Sequence, residues 1–185
     1  RVTVSVVCSP SHQDHQSFAH HLVPSPPDGE VLRVLDSREG WVEALGRVYD
    51  TAQHGGGVLT IDVTDVRPYG SPIRGFGGTA SGPLGLIELL IATANILNTS
   101  VGKQLDTLTA MALLHEIAKC VVAGNIRRSA RVVNKRWNDH DILDFITCKQ
   151  DDPEAHWTSN VSVELDDFFF EQFEKKAPLA ESVWQ

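Results

Sequence analysis

Apolar and polar positions recur along this chain with two periods, and the switches between them mark out its elements. Val2–Val7 (VTVSVV) is rich in β-branched residues and bounded by Cys-Ser-Pro-Ser, so it reads as a strand. Ser11 to Leu22 is a short, His-rich helix candidate, and Pro24–Gly29 a surface loop. Val31–Leu35 reads as a second strand. Asp36-Ser37 then forms a helix N-cap signal, with acidic Glu39 in the first turn. Trp41, Leu45, Val48 and Tyr49 give that helix one apolar face. His54-Gly-Gly-Gly57 ends it. Val58–Val63 (VLTIDV) is the best strand in the chain.

Two long helical patterns follow. The first starts at Pro83, a residue suited to a first helical turn, and buries Leu86, Leu89, Leu90, Ile91, Ala94 and Leu97. The second runs from about Leu105 to Val122 on Leu108, Met111, Ala112, Leu114, Ile117 and Val121. The short connection Asn98–Gly102 predicts an antiparallel helical hairpin over 83–122. Ala130–Val133 reads as a strand end. Asp139 or Asp141 caps a helix carrying Ile142, Leu143, Phe145 and Ile146. Val161–Val163 is a strand and Asp166–Phe173 a helix. Strands alternating with helices make this an α/β chain.

Composition narrows the class. At 185 residues one domain is the prior. The net charge of −8 argues against a general nucleic-acid or anionic-membrane binder, so any anion site must be local. Cys8, Cys120 and Cys148 are few and far apart, which suggests neither a zinc site nor a disulfide framework, and fits a reducing, cytoplasmic setting. No run reaches the ~18 apolar residues of a membrane span. The chain opens directly into a strand and stops inside an amphipathic helix pattern, which reads as a segment of a longer protein.

The candidate chemistry lies in two loops. Arg67 to Gly82 (RPYGSPIRGFGGTASG) follows a strand and precedes a helix, the ordinary ligand position in an α/β protein. Gly75, Gly77, Gly78 and Gly82 permit close backbone approach, Thr79 and Ser81 add hydroxyls, and the following helix adds a positive dipole end. Arg67 and Arg74 can counter phosphate charge. It is neither a Walker loop nor GxGxxG, and a plain chain-turning role carries equal weight. The second loop, Gly124-Asn-Ile-Arg-Arg-Ser129, sets Arg127 and Arg128 just past a long helix. It suits an anion or a base edge as well as it suits a solvated basic turn.

The remaining candidates are weaker. His12, His15, His20 and His21 cluster without helical ligand spacing, and no metal site is expected. His115 reads as a packing residue and Cys120 as inert core. Cys148, near a helix end, is a candidate for exposure. Asp62 and Asp65 form either a carboxylate pair or, better, supports that orient the arginine-bearing turn.

Four ordered motifs carry a family resemblance. Asp36-Ser-Arg-Glu-Gly-Trp41, Asp65-Val-Arg-Pro-Tyr-Gly70, Gly75-Phe-Gly-Gly-Thr-Ala-Ser-Gly-Pro83 and Val122-Ala-Gly-Asn-Ile-Arg-Arg-Ser-Ala130 resemble the adenosylcobalamin-dependent (class II) ribonucleotide reductases, monomeric ribonucleoside-triphosphate reductases above all. The resemblance implies part of a ten-stranded α/β barrel of the ribonucleotide reductase and glycyl radical enzyme type. Residues 1–185 would be a partial catalytic-barrel domain, with the hairpin 83–122 in the effector-binding region. It implies that Gly75–Gly82 is the first effector loop and Gly124–Ser129 the specificity loop, with Arg127 reaching toward the substrate. In monomeric members an inserted helical region mimics a dimer interface, and Leu84–Val122 would belong to it.

The implied partners are a ribonucleoside triphosphate substrate, a deoxynucleoside triphosphate effector and a thioredoxin-like reductant, with no nucleic acid or membrane. The implied oligomeric state is a monomer or weak dimer. The implied cofactor is adenosylcobalamin, which generates a cysteine radical. The three cysteines present do not sit in the family's cysteine motifs, so catalytic residues are expected outside this segment, which alone would be inactive. Two other readings stay open: a non-catalytic nucleotide-binding regulatory module, and an α/β interaction domain whose glycine loop is only a turn.

Overall fold

The computed structural model describes residues 1–8, 31–73, 77–123, 127–150, 152 and 155–185; of residues 122, 123, 127 and 128 it describes the backbone. The helix expected over 11–22 and the loop expected over 24–29 lie outside the described residues. The chain divides into two compact units, residues 1–104 with 116–129, and residues 105–115 with 130–185.

The first unit is built on an all-parallel sheet in the order β1-β3-β2, from β1 (Val2–Val7), β2 (Val31–Arg33) and β3 (Gly57–Asp62). Helix α1 (Arg38–Gln53) makes the crossover from β2 to β3, as parallel neighbours require. Ser37 caps α1 as its sequence predicts, its hydroxyl accepting from the Gly40 N–H at 3.0 Å. Val2, Val4 and Val6 alternate into the core and meet Leu59 and Ile61 of β3. Ala44 and Val48 of α1 close over them, with Leu86, Ile87, Leu90 and Ala94 of α2 (Leu84–Thr99). The last turn of α2 also completes the start of β1. The Asn98 amide accepts from the Val2 N–H and donates to the Val2 carbonyl, both at 2.8 Å, and so satisfies both backbone groups of that residue.

The second unit pairs β6 (Arg131–Arg136) in parallel with β7 (Ser159–Glu164), with α4 (Ile142–Thr147) in the crossover. Met111 from α3 (Thr107–Cys120) packs with Ile142 and Phe145. A second small core joins Trp137 to Phe169 of α5 (Asp167–Glu174) and Ala180 of α6 (Pro178–Trp184). Asp166 serves two partners there, accepting from the Phe169 N–H at 2.8 Å and from the Trp137 indole at 2.9 Å.

Several boundaries differ from the sequence pattern, each for a visible reason. β2 stops at Arg33, and Leu35 beyond it is 59% exposed. α3 ends at Cys120 rather than Val122, because Val122–Ala123 (β4) pairs with Arg127–Arg128 (β5). Asp141 occupies the N-cap of α4 but makes no capping hydrogen bond; its carboxylate is drawn instead to Lys135 at 2.7 Å. Cys148 packs partly against the Met111 core rather than standing exposed.

Candidate functional site

The first loop begins where β3 delivers the chain out of the sheet. Asp62 turns it, its carboxylate accepting from the Thr64 N–H at 2.9 Å and from the Thr64 hydroxyl. Val63 and Val66 anchor the turn in the core. Two arginine–aspartate pairs then fix the loop's entrance. Arg33 grips Asp65 through both carboxylate oxygens, at 2.5 and 2.7 Å. Arg67 Nε donates to Asp36 at 2.5 Å, just ahead of the Ser37 cap. The Arg33 guanidinium holds the Asp65 carboxyl below its usual value. Asp62 and Asp65 therefore organise the turn, as supports rather than as an acid–base pair. Arg67, read from sequence as a phosphate counter-charge, is committed to Asp36.

Beyond that entrance the backbone folds on itself as a narrow antiparallel arm. The Gly70 N–H donates to the Ala80 carbonyl at 2.9 Å, and the Ala80 N–H returns to Ser71 at 2.8 Å. Pro72 bridges Thr79, and the Ile73 N–H reaches the Gly78 carbonyl at 3.2 Å. Gly77, Gly78 and Thr79 are exposed toward the tip, while Ala80 and Gly82 are buried at the root and Ser81 is half-buried. Gly78 has φ +81° and Gly82 φ +71°, the left-handed region where a side chain is strained. Gly82 also has no room: a Cβ there would sit 2.9 Å from the Tyr69 backbone nitrogen. Arg74 and Gly75 lie outside the described residues. α2 starts directly after the arm, with Pro83 at its N-cap and no side-chain cap.

The second loop is flanked by two short antiparallel strands. Ala123 is in register with Arg127 and Val122 with Arg128, and the Ser129 N–H donates to the Val121 carbonyl at 3.3 Å. Gly124 and Asn125 lie outside the described residues. Sequence reasoning missed the two strands because each is only two residues long.

The roots of the two loops meet. A Cβ at Gly85, in the first turn of α2, would lie 4.0 Å from the Cα of Cys120, the last residue of α3. Glu88, one turn on, acts on the Cys120 thiol, which burial first and that carboxylate second push up to about 12. Burial also raises Cys8 and Cys148.

Residues 8–97 match the family described as B12-dependent ribonucleotide reductase, insertion domain. The chain is 39% identical over 168 residues to the adenosylcobalamin-dependent ribonucleoside-triphosphate reductase of Lactobacillus acidophilus, across 86% of this chain and 22% of that protein. It is 42% identical over 181 residues to the reductase of the same name from Lactobacillus gasseri, across 94% of this chain and 22% of that protein. A crystal structure of a B12-dependent (class II) ribonucleotide reductase aligns with a TM-score of 0.74 at 32% identity, over 89% of this chain and 24% of that one. The chain thus has a mixed α/β fold with parallel sheets, similar to that of a class II reductase.

The chain belongs to the B12-dependent ribonucleotide reductases. Its curated relatives there are ribonucleoside-triphosphate reductases, and it spans about a fifth of their length. The matched insertion domain holds the glycine arm and reaches into α2. The inserted region expected over Leu84–Val122 overlaps it only through α2.

Those relatives depend on adenosylcobalamin. Among the described residues no three His, Cys, Asp or Glu side chains converge on a metal position. Among the same residues no helix is long and apolar enough to cross a membrane.

Proposed function

We propose that this chain is the effector-binding and substrate-specificity segment of a reductase that converts ribonucleoside triphosphates to deoxyribonucleoside triphosphates through a cobalamin-initiated thiyl radical. The arm from Gly70 to Gly82 receives a deoxynucleoside triphosphate effector. The hairpin around Gly124–Ser129 carries the effector's identity to the substrate base, with Arg127 reaching toward it. The cobalamin, the radical and redox cysteines and the site for a thioredoxin-like reductant belong to other parts of the protein. The segment contributes early strands to a ten-stranded barrel, and α2 and α3 form its effector-side helical pair.

The observation that carries this reading is the contact between Gly85 and Cys120, which joins the exit of the arm to the entrance of the hairpin. A ligand that orders the arm acts on the first turn of α2. That turn abuts the last turn of α3, and the hairpin follows within two residues. With Arg67 engaged by Asp36, the arm offers the effector backbone N–H groups and the Thr79 and Ser81 hydroxyls, with Arg74 as its counter-charge.

Gly78→Val tests the arm directly. A β-branched residue resists the left-handed backbone at φ +81°, so effector affinity in the full-length protein falls about tenfold by equilibrium binding. Equal nucleotide affinity in the unaltered protein and the variant refutes the assignment.

A further inference from the structure

The second unit gathers Arg131, Lys149 and His156 around Thr158 and Ser159, and among the described residues no salt bridge joins these three to an acidic side chain. Arg131 opens β6 and donates through Nη2 to the Thr158 hydroxyl at 2.9 Å and the Ser159 hydroxyl at 3.4 Å. Its Nε and Nη1 are buried without an acceptor. His156 Nδ1 is buried and unpartnered too, and His156 holds a left-handed backbone at φ +51°. Lys149 Nζ donates to the Ser159 carbonyl at 2.5 Å, a neutral acceptor. His115 closes the group, with Nδ1 at 2.9 Å from the Thr158 hydroxyl and its ring edge-on to His156 at 5.8 Å and to Trp157 at 5.9 Å. Thr158 and Ser159 are buried at the centre, and Trp157, 41% exposed, forms the rim.

The electrostatics run one way. Burial lowers Arg131, and no acidic side chain is among the causes. His156 is lowered by burial first and then by Lys149 and Arg131, so the three basic groups sense one another. Basic groups held together in a partly dry site, with ring and guanidinium nitrogens of Arg131 and His156 left without a partner, are complementary to an anion. A planar carboxylate presents acceptors in one plane. A tetrahedral oxyanion presents them toward all three groups.

We propose that Arg131, Lys149 and His156, gathered around Thr158, form a binding site for a phosphate group, supplied as inorganic phosphate or as part of a nucleotide. The site is separate in the chain from the glycine arm and does not rest on the effector assignment. Occupancy would fix the first residue of β6, two positions after Ser129, and with it the exit of the specificity hairpin.

The test is calorimetric titration of the full-length protein with inorganic phosphate at constant ionic strength in chloride. The expected result is saturable binding, weakened about tenfold or more by Arg131→Gln and by Lys149→Gln. Lys149 is only partly buried, so its variant carries the test where Arg131→Gln fails to fold. Absence of saturable binding to the unaltered protein, or undiminished binding by Lys149→Gln, overturns the proposal. A deoxynucleoside triphosphate that displaces phosphate in the unaltered protein identifies a nucleotide as the source. Phosphate binding undisturbed by saturating nucleotide identifies the free ion.

Discussion

Gly82 shows how much a single position contributes to the arm. It combines φ +71° with a backbone neighbour, Tyr69 N, 2.9 Å from where a Cβ would lie. Gly82→Ala must both adopt the left-handed region and move a strand of backbone. It is expected to cost about 2 kcal/mol, read as a lower denaturation midpoint at unchanged slope. A loss below about 0.5 kcal/mol would mean the root of the arm is looser than described. The glycine pattern was legible in the sequence because glycine alone takes these angles without steric strain. The ion pairs were not. Nothing in the order of residues says that Arg67 prefers Asp36 to a ligand, or that Asp65 belongs to Arg33, since each pair joins residues more than thirty positions apart.

At the scale of elements, legibility followed how cleanly polarity tracked burial. β1, β3, α1 and α2 were readable because their valines, leucines and isoleucines fall on one face. β6 was read only in part. Its inward face carries Arg131, Val133 and Lys135 while Val132 is 62% exposed, the reverse of a hydrophobic-in pattern. Lys135 is tolerated there because Asp139 and Asp141 reach it at 3.2 and 2.7 Å and the Thr107 hydroxyl at 2.9 Å. That network predicts acid sensitivity. Lys135 and then Thr107 hold the Asp141 carboxyl well below its ordinary value of 3.8, and the Phe169 N–H and Trp137 lower Asp166. A carboxyl with a depressed folded-state value stabilises the fold above the unfolded value and loses that contribution as pH falls. The second unit should therefore weaken progressively below about pH 4. Asp141→Asn should flatten that dependence, followed by the fluorescence of buried Trp137. An identical acid profile in the variant would contradict the role given to this network.

Across the whole molecule, length alone predicted one domain and carried no trace of the division into two compact units. Motif order told more than composition, because four short segments in sequence are far more specific than a glycine-rich loop next to arginines. The family assignment followed from them and is supported by relatives along most of the chain. Motif order could not reveal that both loops belong to the same unit, or that Gly85 and Cys120 bring their roots together. Such contacts depend on tertiary packing between residues thirty-five positions apart. In the proposed function this junction is the route by which the arm instructs the hairpin. The decisive measurement is substrate choice by the full-length protein under each deoxynucleotide effector, compared with Arg127→Ala, alongside effector affinity. The account predicts that the variant loses about tenfold or more of its effector-dependent preference while effector affinity changes little. An unchanged preference profile would contradict it.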